Sequence, residues 1–548
     1  MKKKIFIAAA WPYANGSLHL GHVAGLLGAD IIARYKRLCS EDVLFVSGSD
    51  CHGTPIVIEA ERQGVHPSVI ADKYHQEFIE TLVRGLNFSY DIYTKTTTEN
   101  HQKIVQEIFL KLYHNGYIYT KTEKLPYCSN CQRFLPDRYV EGECPICHFI
   151  NARGDQCDEC GNLINVSQLL NLRCKICKEL PDWRPSEHFF FKLSAFQNQI
   201  TKWVEESKGW RLNAKNFTLN LLKQGLNDRA ITRDIEWGIP IPLAGYEHKR
   251  IYVWFEAVCG YFSASKEWAE FQKQEDLWKK FWLNDSSTHF YIHGKDNILF
   301  HTIIWPAILL AYGGLHLPDR IISSEYLTFE EKQFSKSRHH VILLLDFLTN
   351  FDSETLRYFL VTNGPETADA NFSWPEFKFK TNGELIATFG NFIHRTFSLI
   401  KANFPEGVKL PKKLNKNDNE FLRLTKKAFP LVGKAIEKGR FREGLQIIFK
   451  ISESGNKYLN KKSPWEKIKI DKLQTESDLA VLGQIIINLA VLINPYLPQT
   501  TERIFKIINQ NSRNISWNYA DLDYIKVVNP QPLYKKIEDT DIDRQLLK

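Results

Sequence analysis

The sequence predicts an α/β protein in which a parallel-sheet domain is split by a cysteine-rich insertion and followed by an all-α region. Three observations indicate this arrangement. Short apolar runs at residues 5–10 and 43–46 end at turn formers, a pattern that is typical of buried parallel strands. Four CxxC pairs fall together in the first half of the chain. Beyond residue 377 the apolar residues recur with a helical period, and strand signals are few.

These changes of pattern divide the chain into five segments. We expect residues 1–116 and 231–328 to form the two halves of the sheet domain, with residues 117–230 inserted between them. Residues 329–376 carry the segment QFSKS followed by a helical pattern, and we expect residues 377–548 to form a helical domain.

Composition limits the class of protein. A length of 548 residues is enough for three or four domains. The net charge of +8 permits a polyanionic partner, although a solvated lysine-rich surface accounts for it equally well. We find no apolar run that approaches the about 18 residues of a membrane span. The opening MKKKIFIAAA starts like a signal peptide, but its apolar stretch is short and is interpreted as the first strand.

Residues 5–25 are the centre of the predicted sheet domain. Ser17 ends a turn cluster and can cap the helix that follows. His19 and His22 then lie at i and i+3 on one helix face, and Gly21 leaves room for a flat ligand. The free N–H groups and the dipole at a helix start favour an anion, such as the phosphates of a nucleotide. The alternative is that both histidines lie on the surface by chance.

Eight of the 11 cysteines form four CxxC pairs, which indicates metal binding in a reducing compartment rather than a disulfide framework. Two such pairs complete a closed tetrahedral zinc site of the structural kind. Spacing does not decide which pairs join, and a redox role lacks the expected thioredoxin-like context. The pairs are Cys128/Cys131, Cys144/Cys147, Cys157/Cys160 and Cys174/Cys177.

Two ordered motifs connect the chain to a known family. The tetrapeptide HLGH at 19–22 resembles the HIGH signature of class I aminoacyl-tRNA synthetases, and the preceding WPYANG resembles a segment of the methionyl-tRNA synthetases. The segment QFSKS at 333–337 resembles their KMSKS loop. It departs from that pattern in two places: Gln333 stands where the family has its first lysine, and Phe334 stands where it has methionine. Whether Lys332 takes the place of that lysine stays open. The resemblance implies a Rossmann-like domain, a zinc-binding insertion and an anticodon-binding helical domain.

The resemblance also implies residues for the catalytic site. Asp50 is expected to hold the amino group of methionine, whereas its alternative role is to cap the next helix. The run at 251–261, which we interpret as a strand, carries part of the methionine pocket, and Val258 stands where the family has proline. Catalysis is assigned to His19, His22, Arg233 and Lys336. ATP is expected to contact His19, Gly21, His22, Gly294, Lys295, Asp296, Ser335, Lys336 and Ser337. Methionine is expected to contact Tyr13, Asp50, Trp254, Tyr261, His301 and Trp305.

Further implications concern the anticodon and the metal. Asn391, Arg395 and Trp465 match family positions that read the CAU anticodon, although an ordinary helix face with a structural tryptophan would look the same. The inner cysteines are implied to share one zinc ion and the outer cysteines another. The inner set is Cys144, Cys147, Cys157 and Cys160, and the outer set is Cys128, Cys131, Cys174 and Cys177.

The implied function is ligation of methionine to tRNA(Met), the initiator tRNA included, with ATP, Mg²⁺ and one or two structural Zn²⁺ ions per chain. One alternative is another class I synthetase, such as the cysteinyl one, whose zinc site is open and mixed Cys/His. Another is a noncatalytic zinc-bearing RNA-binding protein, which would have no use for HLGH and FSKS. We expect a cytoplasmic monomer, since the C-terminal extension that dimerises some relatives is missing.

Overall fold

The structure is a computed structural model, and it describes residues 2–136, 139–154, 157, 159–160, 164, 166–334 and 340–546. A five-stranded parallel sheet lies at the centre of its first part. The first strand, Lys4–Ala9, is central. One of its neighbours is the second strand of the chain and the other is the strand Thr288–Gly294, so the order of the strands reverses at the first strand. Ligands bind at such switch points in open parallel sheets. The strand order is Arg320–Ser324, Thr288–Gly294, Lys4–Ala9, Asp42–Ser49, Ile92–Lys95.

Helices cover both faces of this sheet. The predicted strand at 251–261 is wrong, because these residues belong to the helix Val253–Phe271. Most of that helix is buried, so it is apolar on nearly every side and its helical period is hidden. The other α-helices of this part are Leu20–Leu38, Thr54–Gln63, Pro67–Phe78, Glu99–His114, Lys279–Trp282 and Trp305–Tyr312, with π-helical turns at Ile79–Gly85 and Phe300–Ile304.

The insertion is built on a long antiparallel strand pair. Ile118–Cys128 pairs with Asp182–Phe191 over ten positions, and Arg133–Phe134 and Arg229–Ala230 extend the sheet on either side. The cysteine-rich part lies between these two strands in the chain and packs against Val57 and Ile58 of the sheet domain. The remaining strands and α-helices that the structure describes here are Val140–Glu143, Leu170–Cys174, Gln197–Glu206 and Leu212–Gln224, with 3₁₀ turns at Val166–Gln168 and Leu193–Phe196.

The C-terminal part is helical, which confirms that prediction, with one short strand pair, Val408–Lys409 and Tyr524–Ile525. Two further short pairs precede it, Thr232–Arg233 with Arg250–Ile251 and Leu327–Phe329 with Ala370–Phe372. The α-helices are Leu344–Asn350, Ser353–Thr362, Trp374–Phe379, Asn391–Asn403, Lys416–Glu437, Phe441–Lys462, Pro464–Lys467, Lys472–Ile493, Pro498–Ile507 and Asp539–Leu546, with a π-helical stretch at Lys380–Gly390.

One helix corrects the expectation about apolar runs. Lys472–Ile493 is long and apolar enough to cross a membrane by length and composition. In the structure 89% of its apolar window is buried inside the protein. Packing among the other C-terminal helices therefore accounts for its composition.

A buried ion pair joins the two parts of the molecule. Asp30, on the helix Leu20–Leu38, and Arg357 are fully buried and lie 2.7 Å apart. Burial alone would raise the pKa of Asp30, but the guanidinium groups of Arg34 and Arg357 hold it well below its usual value. The Arg357 Nε also donates to the carbonyl oxygen of Tyr496, at 2.7 Å. The helix that follows the HLGH motif is thus tied to the C-terminal helical part.

Candidate active site and anticodon cluster

The HLGH helix begins with two reciprocal hydrogen bonds. The His19 Nδ1 accepts from the Gly21 N–H at 3.2 Å, and the His22 Nδ1 accepts from the His19 N–H at 3.1 Å. His19 is therefore the cap, and the prediction for Ser17 is wrong, since the Ser17 hydroxyl donates to Glu77 at 3.0 Å. Because Nδ1 accepts in both neutral rings, their N–H groups are at Nε2, where they can donate to a ligand.

The second motif approaches the first through Phe334. The Phe334 ring stacks on the His19 ring, with centroids 4.7 Å apart and an interplanar angle of 11°. A Cβ added at Gly21 would lie 3.0 Å from the His19 ring and 3.4 Å from Phe334. Any larger residue at position 21 would press against these two rings, so the position favours glycine. The next residues, Ser335, Lys336 and Ser337, lie outside the described residues.

The predicted ATP residues lie at the end of the strand beside Lys4–Ala9: Gly294 is its last residue, and Lys295 and Asp296 follow it. A Cβ at Gly25 would lie 3.4 Å from the Gly294 nitrogen, so the HLGH helix packs tightly against this strand end. The Lys295 ammonium pairs with Glu325 at 2.9 Å and Asp369 at 2.8 Å. The Tyr326 hydroxyl donates to Asp296, and burial raises the pKa of that carboxyl. No sequence motif had pointed to these three partners.

The predicted methionine residues form a linked aromatic cluster. The Trp254 Nε1–H donates to the Tyr13 hydroxyl at 3.0 Å, and the Tyr261 hydroxyl donates to the His301 Nε2 at 2.7 Å. The His301 Nδ1–H donates to the carbonyl oxygen of Asn297 at 2.8 Å. Burial lowers the pKa of His301 to about 4, so its ring is neutral and fixed in orientation.

Trp305 lies deeper than the other members of the cluster. Its side chain is fully buried, its Nε1–H donates to the Tyr291 hydroxyl at 3.0 Å, and its ring lies 6.4 Å from Tyr261. The π-helical turn Phe300–Ile304 separates it from His301. Such turns are frequent at functional sites. Trp305 therefore packs behind Tyr261.

Asp50 lies at the end of the strand Asp42–Ser49, beside Tyr13, with which it forms a parallel bridge. Its side chain is buried, and the next helix, Thr54–Gln63, has Gly53 as its N-cap without a side-chain hydrogen bond, so the capping alternative is excluded. Burial and the nearby Glu256 carboxylate raise the pKa of Asp50 well above its usual value. A carboxyl in this environment suits a cationic ligand.

A buried pair beside Asp50 was missed by the sequence analysis. The His52 Nδ1–H donates to the Glu256 Oε1 at 2.8 Å, and both side chains are buried. Among the described residues, the second oxygen of Glu256 has no hydrogen-bond partner. Glu256 lies on the helix Val253–Phe271, whose misassignment as a strand hid this contact.

Arg233 lies on the side of the site that holds Tyr13 and Trp254. Its guanidinium packs 3.7 Å from the Tyr252 ring centroid, and its Nη1 donates to the carbonyl oxygen of Thr232 at 2.9 Å. Together with Tyr13 and Trp254 it lines a small cavity of about 20 Å³. Its planar donor fork suits an anionic oxygen at this edge.

The eight CxxC cysteines form two groups, each with its four sulfur atoms within 4.8 Å of one another. Within the outer group the Cys128 and Cys177 sulfurs lie 3.3 Å apart, and within the inner group those of Cys147 and Cys157 lie 3.6 Å apart. These are the groups that the resemblance implies. Four convergent thiolates suit a tetrahedral metal ion.

The three predicted anticodon residues are exposed on the helical part. The Arg395 guanidinium lies 5.5 Å from the Trp465 ring centroid, and its Nη2 donates to Asn460 at 3.3 Å. Asn391 begins the helix Asn391–Asn403, which carries Arg395 one turn later. An exposed ring beside an oriented guanidinium is suited to stacking with an unpaired base.

Comparisons with known proteins agree with this architecture. A family profile described as tRNA synthetases class I (M) matches residues 5–397, and one described as the anticodon binding domain of methionyl tRNA ligase matches residues 411–546. The chain is 47% identical to a methionine–tRNA ligase of Dehalococcoides mccartyi (strain CBDB1), over 100% of this chain and 99% of the relative. It is 45% identical to that of Bacillus mycoides (strain KBAB4), over 99% and 98%.

A solved structure shares the fold. Methionyl-tRNA synthetase of Mycobacterium tuberculosis in complex with methionyl-adenylate matches with a TM-score of 0.80 at 23% identity, over 97% of this chain and 99% of that chain. The family profiles cover most of the chain, and the two relatives match along its full length. The chain therefore belongs to the methionyl branch of the class I tRNA synthetases.

Proposed function

We propose that this chain joins methionine to tRNA(Met), the initiator tRNA included, in two steps. In the first, the methionine carboxylate attacks the α-phosphate of ATP, and pyrophosphate leaves with Mg²⁺. In the second, a terminal ribose hydroxyl of the tRNA attacks the carbonyl carbon of methionyl-adenylate, and AMP leaves. The sequence identity of 45–47% to methionine–tRNA ligases, along nearly the full length of the chain, supports this proposal.

The first step needs positioning and charge stabilisation rather than a protein nucleophile. His19 and His22 would donate from Nε2 to phosphate oxygens, beside the N-terminus of the HLGH helix. Arg233 would neutralise charge at the amino-acid edge. Lys336 would close over the triphosphate and stabilise the leaving pyrophosphate. Gly21 would let the flat adenine approach the backbone.

The amino-acid pocket would recognise both ends of methionine. Asp50 would bind the ammonium group, because its carboxyl is buried and aligned with Tyr13 at the strand ends. The thioether would pack against the edges of Tyr13, Trp254 and Tyr261, an arrangement that sulfur favours. His301 would fix the position of the Tyr261 ring by accepting the hydrogen bond of its hydroxyl.

The observation that carries the proposal is the stack of Phe334 on His19. It puts the segment that precedes Lys336 against the residue that begins the HLGH helix. The deciding experiment is ATP–pyrophosphate exchange with each of the twenty amino acids. Methionine alone should support rapid exchange. Exchange with cysteine would favour the cysteinyl alternative, and exchange with none would favour a noncatalytic RNA-binding protein.

We further propose that each cysteine group holds one structural Zn²⁺ in the reducing cytoplasm. The purified chain should contain about two zinc ions, because each closed thiolate set binds one ion. Cys131→Ser and Cys147→Ser should each remove about one ion, measured by elemental analysis. The matched control is Cys39→Ser, since Cys39 lies outside both groups. A zinc content near zero in the unchanged protein would contradict the assignment.

The anticodon role predicts a separation between the two steps. Trp465→Ala should leave methionine-dependent pyrophosphate exchange intact and weaken tRNA charging by about tenfold or more, as for one lost base stack. Phe379→Ala, which removes another exposed ring of the helical part, is the control and should leave both steps unchanged. An equal fall in exchange and charging for Trp465→Ala would be inconsistent with anticodon recognition.

A further inference from the structure

A second buried carboxyl group lies near Asp50, in the first turn of the helix Val253–Phe271. Glu256 is fully buried, and its charge acts on Asp50, where it adds to the effect of burial and raises the pKa of that carboxyl. The same helix turn supplies Trp254 to the aromatic cluster. Glu256 therefore lies beside the proposed methionine pocket, although no role was predicted for it from the sequence.

His52 links the two carboxyl groups. The His52 Nδ1–H donates to the Glu256 Oε1 at 2.8 Å, and the His52 backbone N–H makes a long hydrogen bond of 3.4 Å to the Asp50 Oδ1. The His52 ring packs edge-to-face against Trp237, with centroids 5.2 Å apart, and the Trp237 Nε1–H donates to the carbonyl oxygen of Cys51 at 2.8 Å. These contacts hold His52, and through it the Glu256 carboxyl, in one orientation.

Neither carboxyl group has a lysine or arginine to balance its charge among the residues that the structure describes. Glu256 is paired there with His52 alone, and its second oxygen accepts no hydrogen bond. Asp50 has no ion-pair partner in the same part of the chain. Buried carboxylates without a counter-charge are unfavourable. A cationic ligand at Asp50 would supply positive charge to both groups at once.

We propose that Glu256 is a positioning residue of the ammonium site, where its negative charge, held by His52, strengthens the binding of the methionine ammonium group to Asp50. The proposal rests on the proposed function, in which Asp50 binds that group. Glu256 acts through Asp50 and takes no part in bond making. It also adds to specificity, because a ligand without positive charge would leave both carboxyl groups buried and unbalanced.

Other titratable or charged groups surround these carboxyl groups, and none of them changes charge between about pH 5 and 8. Burial and the charge of His52 lower the pKa of the neighbouring histidine to about 3. Burial raises the pKa of both thiols and of the phenol above their usual values, and the arginine stays charged. A change of affinity in this range therefore reports on Asp50, Glu256 and His52. The surrounding groups are Cys51, His101, Arg233, Cys259 and Tyr261.

The test compares methionine with its 2-hydroxy analogue, which has a hydroxyl in place of the ammonium group. Glu256→Gln keeps an acceptor for His52 but removes the charge, so KM for methionine in pyrophosphate exchange should rise about tenfold at neutral pH. The inhibition constant of the uncharged analogue should not rise. The matched control is Glu267→Gln, a buried carboxyl on the same helix that accepts from Thr94 at 2.8 Å, and it should leave both constants unchanged.

The pH profile separates a charge effect from a loss of packing. Protons compete with the ammonium group for Asp50, so KM for methionine rises as the pH falls. Glu256→Gln should move this rise to lower pH, because Asp50 holds its proton less tightly without the neighbouring charge. Glu256→Asp keeps the charge and should keep the profile of the unchanged protein. Glu256→Met removes the charge without burying an unpaired amide, and it replaces Glu256→Gln if that variant does not fold.

Equal weakening of methionine and of the hydroxy analogue by these variants would overturn the proposal, since it would indicate general damage to the pocket. A raised KM with an unshifted pH profile would overturn it as well. Failure of the proposed function would appear separately, as absent exchange in the unchanged protein or as a normal KM for methionine in Asp50→Asn.

Discussion

Asp50→Asn is expected to lower kcat/KM for methionine in the pyrophosphate exchange reaction by on the order of 100-fold or more. The change keeps the shape of the side chain but leaves the ammonium group of methionine without its buried counter-ion, and breaking such a pair costs about 3–5 kcal/mol. KM for ATP should change little. Asp72→Asn, an exposed aspartate paired with Lys95, is the matched control and should behave like the unchanged protein.

The pH dependence of the same reaction gives a second readout for Asp50. Burial and Glu256 raise the pKa of Asp50, so the free site tends to hold a proton that must leave when the ammonium group binds. KM for methionine should therefore fall as the pH rises from mildly acidic to neutral values. The groups that face this carboxyl are Glu256, His52, Cys51 and Tyr261. A profile that is equally steep in Asp50→Asn would assign the titration to one of them.

The second large effect is expected for Lys336→Ala, which should reduce methionine-dependent exchange by on the order of 100-fold or more, as for a lost transition-state donor. The effect should appear in the rate rather than in KM for methionine, because charge develops on the leaving pyrophosphate in the transition state. Exchange at the rate of the unchanged protein would remove Lys336 from the mechanism.

Lys332→Ala is the matched comparison, because Gln333 stands where the family has its first lysine. A loss similar to that of Lys336→Ala would mean that Lys332 takes over that role by a shift in the loop. Full activity would mean that the chain works with one lysine here. Phe334 stacks on His19, so the loop has an aromatic contact at the position where the family has methionine.

The sequence predicted the parts of the fold that local patterns determine. The apolar runs before Pro12 and after Glu41 gave the first two strands, because parallel strands buried on both faces are apolar throughout. The CxxC spacing gave the insertion, since thiolate pairs on tight turns have few other uses. The motif residues His19 and Gly21 were found because their spacing is tied to the strand–turn–helix geometry.

Features that depend on tertiary contacts were not predictable. The helix Val253–Phe271 is buried on most sides, so its apolar residues show no clear period and it was interpreted as a strand. The hydrogen bond between Glu256 and His52 was missed for the same reason. Lys295 was assigned to ATP without its partners Glu325 and Asp369, which are 30 and 74 residues away in the chain.

The buried contact between Asp30 and Arg357 has a consequence for dissecting the molecule. Arg357 lies before residue 377, where the predicted helical domain begins, yet its guanidinium also donates to the carbonyl oxygens of Pro495 and Tyr496. Cutting away the C-terminal helices would leave a buried cation short of acceptors, which is strongly unfavourable. A truncated chain is therefore expected to be a poor substitute for the whole in crystallisation or inhibitor screening, even where its catalytic motifs are complete.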